Sequence, residues 1–211
     1  MSLISTADLR TWLGLEDGDK KANPKLEAIA QAIEDFVDSF TNRKLEAARY
    51  NTHPDFTYHD GSGKPYIYAM QYPISYIYGV YVDADRVFDD ATMIASADIY
   101  WYPSGKIMSE GGYFTKGHRN IKIDYVAGYA PVVGGTNNGA VSSYPIPNDL
   151  KQVMIEMSVQ AFKEGITAVH TVVGGLESPP SFIQLLSNNS FWRNVLNKYK
   201  AFDAALQGND D

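Results

Sequence analysis

Few side chains in this sequence are of a type and spacing that could do chemistry. His53 and the pair His59-Asp60 flank a loop that also holds Asp55, so a metal-dependent hydrolase can be drawn on His53, His59 and Asp60. A closed zinc site needs four ligands, and a catalytic zinc needs three plus a water, at recognisable spacings. The spacing here fits neither pattern, no third histidine is near, and His118 and His170 stand alone. The plainer reading is a set of polar side chains around the turns Pro54-Asp55 and Asp60-Gly61-Ser62-Gly63, and the expectation is no metal.

Nucleophiles fare no better. There is no Gly-x-Ser-x-Gly elbow, the chain has no Cys, and Ser104 beside Gly105 belongs to a turn. Asp83, Asp85, Asp89 and Asp90 crowd a strand end, but an acid–base pair needs carboxylates whose surroundings push their pKa values apart. The glycines at 111–112, 134–135 and 174–175 lack the helix-opening pattern and the lysine of a phosphate cradle. Asn188-Asn189-Ser190 reads as a glycosylation sequon, which is idle in a chain with no signal peptide at its start. The sequence therefore predicts no catalytic residue and no cofactor.

The elements that would position any site are easier to read. Ser5 or Thr6 can cap a first helix, Asp8 suits the positive end of its dipole, and Leu9, Trp12 and Leu13 recur at helical spacing before Gly14 stops it. Asn23 and Pro24 open a second helix whose stripe is Leu26, Ile29, Ala30, Ile33, Phe36, Val37 and Phe40. A third begins at Ile146-Pro147-Asn148-Asp149 and is apolar around most of its circumference, as a central or interfacial helix is. A last helix is expected over roughly Phe182–Leu206.

Between the second and third helices the composition changes. Thirteen of the 15 tyrosines lie between residues 48 and 129, which favours strands over helices. Strands are expected at Pro65–Met70, Ile74–Val82, Asp98–Tyr102, Ile107–Met108 and Asn120–Val126, the last alternating apolar with polar as a strand with one wet face does. Core packing is the first reading of the tyrosines, a protein interface the second, and a glycan- or ligand-stacking module using Tyr76 and Tyr78 the third. The segments 130–145 and 165–181, rich in Gly, Pro and Ser, read as flexible.

Composition bounds the function. The 211 residues carry 18 Lys and Arg against 25 Asp and Glu, a formal charge of −7, and no basic stripe that would grip phosphates. With no cysteine there are no disulfides, thiolate metal sites or iron–sulfur clusters. No run approaches the roughly 20 apolar residues of a membrane span.

Four separated pieces, in order, resemble the head–tail connector (adaptor) proteins of tailed bacteriophages. They are Thr6-Ala7-Asp8-Leu9-Arg10-Thr11-Trp12-Leu13-Gly14-Leu15; Ile33–Arg43, with its closing Arg; Tyr72-Pro73-Ile74-Ser75-Tyr76-Ile77 leading into Val80–Asp83; and Ile121–Tyr129 followed by Ile146–Gln152. Strand, Ala127-Gly128-Tyr129, loop, Pro147-Asn148-Asp149-Leu150, helix is the most specific of them. The likeness spans most of residues 5–163, and the chain departs from it in the long tyrosine-rich middle and the Gly-rich 131–145 loop.

The resemblance implies a non-enzymatic virion protein at the head–tail junction, made in the cytoplasm of a bacterial host. It implies a homo-oligomeric ring, of twelve copies in such families, below the portal protein, extending the DNA channel and docking the stopper or tail-completion protein. DNA then passes without sequence-specific binding. The expected fold is α+β: a small bundle of about four helices from parts 5–43 and 146–206, with a β-rich insertion at 48–129. Phe191, Trp192, Tyr199 and Phe202 are the expected portal-interface residues, with packing of the last helix as the alternative for Trp192.

Overall fold

A computed structural model describes residues 3–16, 20–110, 112, 114–130, 144–165 and 182–201. Most of the two segments expected to be flexible, and Phe202, lie outside the described residues. The helices are α1 (Thr6–Leu13), α2 (Asn23–Thr41), α3 (Pro54–Thr57), α4 (Asn148–Glu164), α5 (Phe182–Asn188) and α6 (Ser190–Lys198). The strands are β1 (Ala48–Tyr50), β2 (Tyr58–Gly61), β3 (Tyr66–Tyr68), β4 (Ile74–Val82), β5 (Ile99–Trp101), β6 (Lys106–Ser109), β7 (Gly117–Ala127), β8 (Tyr129–Ala130) and β9 (Tyr144–Pro145). The fold is mixed α and β, in two compact units: Met1–Arg43 with Pro145–Lys200, and Lys44–Tyr144.

In the helical unit, α4 is the central element and packs against α1, α2, α5 and α6. Its buried residues, Leu150, Val153, Met154, Ile155, Met157, Ser158, Val159 and Ala161, surround most of the helix, as the apolar pattern predicts, and Gly165 ends it at φ +69°. The first helix also starts and stops where expected. Ser5 and Asp8 form a reciprocal cap, each side chain accepting the other's backbone N–H at 3.1 Å, and Gly14 closes the helix. Trp12 departs from its expected stripe: Leu9 is buried, but Trp12 is 51% exposed.

Two further expectations are corrected. Asn23 does not cap α2; its side-chain oxygen accepts from the Arg10 guanidinium at 3.0 Å, and the cap position falls to Ala22. The last helix is broken in two, because Asn189 leaves the helical conformation to accept the Trp192 N–H and so caps a new helix, α6. Glu34 is buried, and its carboxylate accepts the N–H groups of Leu3 (2.6 Å) and Ile4 (3.2 Å). A buried charge persists only where such hydrogen bonds replace water, so Glu34 fastens the chain's first residues to the unit.

The β unit is organised on β7, which pairs antiparallel with β4 along one edge. It pairs with β1 and β2, placed end to end, along the other. Its side chains alternate as expected, with Ile121, Ile123, Tyr125 and Ala127 all fully buried. At about 1.5–3 kcal/mol for each large apolar side chain, this row is a main contribution to the unit's stability. A second antiparallel sheet, β3-β6-β5, adds Ile67, Ile99 and Ile107 to the same core. β8 and β9 pair as a third, two-stranded sheet. Among the described residues no helix is long and apolar enough to cross a membrane.

Where β7 ends, Gly128 adopts φ +113°, and a Cβ there would lie 2.7 Å from the Glu46 carbonyl oxygen and 2.8 Å from the Ala47 Cα. Gly14, at φ +65°, faces open space. Gly128→Ala is therefore expected to lower unfolding free energy by at least about 2 kcal/mol in urea titration, and Gly14→Ala by about 1 kcal/mol. Equal losses would show that the close approach at Gly128 is unimportant.

Candidate interaction surfaces

His53, His59, Asp60 and His118 have structural partners, and His170 lies outside the described residues. His53 caps α3, its Nδ1 accepting the Asp55 N–H at 3.3 Å, and its ring stacks on Phe56 at 4.1 Å. His59 is buried, with Nε2 at 3.1 Å from the Phe56 carbonyl oxygen. Asp60 accepts the Arg119 N–H at 2.7 Å and sits 3.0 Å from the His118 ring. That N–H bond first, then His118, holds its pKa below the ordinary carboxylate value. Among the described residues no three His, Asp or Glu side chains gather as metal ligands would.

The acidic cluster resolves into loop architecture. The buried Asp83 carboxylate accepts the N–H groups of Asp85 (2.8 Å), Val87 (2.8 Å) and Phe88 (2.9 Å). These bonds, that from Phe88 first, lower its pKa, and they hold Arg86 and Phe88 at positive φ. Asp89 caps the short 3₁₀ turn Asp90–Thr92. What remains exposed is a stiff loop tip carrying Val87, with Asp85 and Asp89 beside it.

The tyrosines divide between two roles. Tyr50 and Tyr125 are buried and pack together at 5.4 Å, and burial pushes the Tyr125 hydroxyl's pKa upward. Tyr76, Tyr78, Tyr100, Tyr102 and Trp101 are exposed instead. On the wet face of the four-stranded sheet the Arg49 guanidinium makes two bonds to Asp124, at 2.9 and 2.7 Å, and lies 3.9 Å from the centre of the Tyr78 ring. Tyr78 meets Tyr76 edge-on at 4.8 Å, and Tyr76 meets Trp101 at 6.3 Å. With Arg49 against Tyr78 and the other rings turned edge to face, they form no flat platform for a sugar, and the row has the composition of a protein interface.

Beside this row lies a groove between β4 and residues 93–101, with Ile77, Val80, Ile94 and Ile99 in its apolar lining and Tyr78 and Trp101 at its sides. It encloses about 320 Å³ of empty space, part of it open solvent. With the open solvent set aside, the enclosed space is well below that of a small-molecule site, which spans roughly 300–1,000 Å³. Sequence reasoning missed this groove, because its walls come from segments about 15 residues apart.

The four expected portal-interface residues have different environments. Trp192 is 7% exposed, and its indole N–H donates to Glu156 at 2.7 Å, which is the packing alternative. The Tyr199 hydroxyl donates to Asp149 at 2.6 Å. Burial works against the Asp149 carboxylate, but Tyr199, the Leu150 N–H and Lys198 outweigh it and lower its pKa. Phe191 is 53% exposed, and Phe202 lies outside the described residues.

No family model matches the chain, and no curated protein matches it in sequence. Its fold is similar to solved chains along almost its whole length. A chain from the neck of an empty gene transfer agent (GTA) particle, computed with C6 symmetry, is 13% identical, with a TM-score of 0.52 over 96% of this chain and 91% of that one. A chain from the virion of a native GTA particle is 15% identical, with a TM-score of 0.53 over the same shares. At these identities the likeness is one of fold.

Two predictions follow from the buried polar groups. Burial holds His59 at a pKa of about 4, against an ordinary 6.5, so the unfolded chain takes up a proton first as pH falls. The stability that His59 confers is complete above pH 6.5 and declines as pH drops toward 4, by up to about 3 kcal/mol. Denaturant melts across that window should show the decline in the native chain and a flatter profile in His59→Gln; parallel profiles would rule His59 out as the source. Trp192→Ala is expected to cost about 3–5 kcal/mol in the same assay, since it empties a core position. A loss under 1 kcal/mol would mean that the ring is not part of the core.

Proposed function

We propose that this chain is a non-enzymatic structural subunit of the neck of a phage-like particle. In this reading it is a head–tail adaptor that forms a ring below the portal, extends the DNA channel and docks the stopper or tail. The observation that carries the reading is the likeness of fold, along nearly the whole chain, to chains of a GTA neck and virion. The adaptor-like motifs of the sequence, such as Ala127-Gly128-Tyr129 followed by Pro147-Asn148-Asp149-Leu150, support it as well. A net charge of −7 also suits a lumen through which DNA slides, because such a surface offers phosphates few partners.

In this reading the helical parts 5–43 and 146–206 form the body of the ring, and the tyrosine-rich region 48–129 reaches neighbours. The portal contact is made by the residues that follow Lys200, Phe202 among them. Trp192 and Tyr199 act as positioning residues that fix α6, to which those residues are joined.

The experiment is to tag the chain in its native source, purify gently, and image and weigh what accompanies it. Copies in rings or at the neck of particles are expected. Particles that form without any copy of the chain would refute the proposal. A chain ended after Lys200 keeps α6 and the buried Trp192, Val195 and Leu196, so it should fold with an unchanged melting midpoint yet leave the portal complexes. Normal incorporation of that truncated chain would refute the portal contact and spare the neck assignment.

A further inference from the structure

A ring built head to tail needs two different faces on each subunit that fit each other. We propose that the groove between β4 and residues 93–101 is one such face, and that its occupant is α6 of a second copy of this chain, with Phe191 inserted. This rests on the neck reading above.

Three observations argue for that occupant. The first is apolar fit. The groove has an open mouth and a lining of Ile77, Val80, Ile94, Ile99 and Met93, the last 41% exposed. Phe191 is a large aromatic side chain, 53% exposed, on a helix whose inner face is fixed by buried Trp192, Val195 and Leu196. An aromatic anchor filling a desolvated pocket is what dominates binding energy at protein interfaces.

The second is charge. Residues 84–98, which lead from the end of β4 into the groove wall at Met93, Ile94 and Ile99, hold Asp85, Asp89, Asp90 and Asp98 against the single base Arg86, the Asp83 carboxylate being taken up by the loop it closes. Glu110 adjoins them, its N–H donating to the Asp98 carbonyl at 2.9 Å. The stretch Phe182–Ala201 holds Arg193, Lys198 and Lys200, the last with its ammonium 4.3 Å from the centre of the Phe40 ring, and no acidic residue. Phe191 and Lys198 are seven residues apart and so share one side of α6. Lys198 is paired with Asp149 at 3.4 Å, but its side chain is 65% exposed, and an exposed pair of this kind is weak enough to share its cation.

The third is the size of the space. Its enclosed part is too small for a ligand site, and its open mouth leaves room for one side chain entering from outside. Helix-in-groove docking of this kind reads a few apolar anchors and takes its orientation from flanking charge.

The absence of cysteine and the exposure of Met93 make the test direct. Met93 is replaced by the photo-crosslinking residue p-benzoylphenylalanine in the full chain, expressed in cells that make the particles, and the assembled material is irradiated. The expected product is a covalent dimer of twice the chain mass, with the adduct mapped to residues 182–201. Phe191→Ser, a change at an exposed position, should reduce that product at least tenfold without altering the melting midpoint. Raising salt should weaken the uncrosslinked contact, because the charge part of the fit is screened. An adduct to a different protein, an adduct confined to one chain, no adduct, or an undiminished yield in Phe191→Ser would each overturn the proposal. Particles that contain the chain but give one of those results refute the groove contact alone; absence of the chain from the particles refutes the neck reading itself.

Discussion

The β unit depends on a single demand made by β7: one strand of 11 residues must be paired along both edges while every second side chain is buried. Pairing with β4 on one side, and with β1 and β2 on the other, satisfies its backbone groups. A slip of one residue would move Ile121, Ile123 and Tyr125 to the wet face and Lys122 and Asp124 into the core. The register is therefore strongly determined, and so are the positions of Arg49, Tyr76 and Tyr78, which the strands carry on the outer face. Two bulges in β4, between Ile74 and Tyr76 and between Ile77 and Gly79, each shift its register against β7 by one residue and so re-aim its tyrosines.

Much of this was legible in the sequence because it is written in local periodicity. The span Ile74–Val82, the alternation in β7, the Ser5 and Gly14 caps and the all-round apolar surface of α4 follow from residue types a few positions apart. What was not legible depends on residues far apart in sequence. Asn23 looks like a cap until Arg10 takes its oxygen, and the burial of Glu34 rests on the N–H groups of Leu3 and Ile4 that reach it. The break at Asn189 is a local competition, between continuing one helix and capping the next, that propensity alone does not decide.

The candidate surfaces show the same division. Of the histidines and aspartates that first suggested catalysis, His53 and Asp83 are explained by short-range bonds, to Asp55 and to the loop that Asp83 closes, and Asp60 by a bond from the distant Arg119. The tyrosine excess was plain in the composition, but its partition into a buried pair and an exposed row required the pairing register. The groove beside that row had no signal in the sequence, since Ile77 and Val80 come from one strand and Ile94 and Ile99 from beyond an intervening loop.

The arrangement of β1 and β2 end to end on one edge of β7 has a mechanical meaning. In an antiparallel ladder the hydrogen bonds run across the strands, so a pull along β7 loads them sideways, together, instead of opening them in turn like a zipper. Because β4 grips the opposite edge across Ile121–Ala127, a lengthwise force is divided between two ladders at once. Such a strand resists extension far better than peeling, which makes β7 a tension member and the chain ends of β1 and β2 the places where yielding would begin.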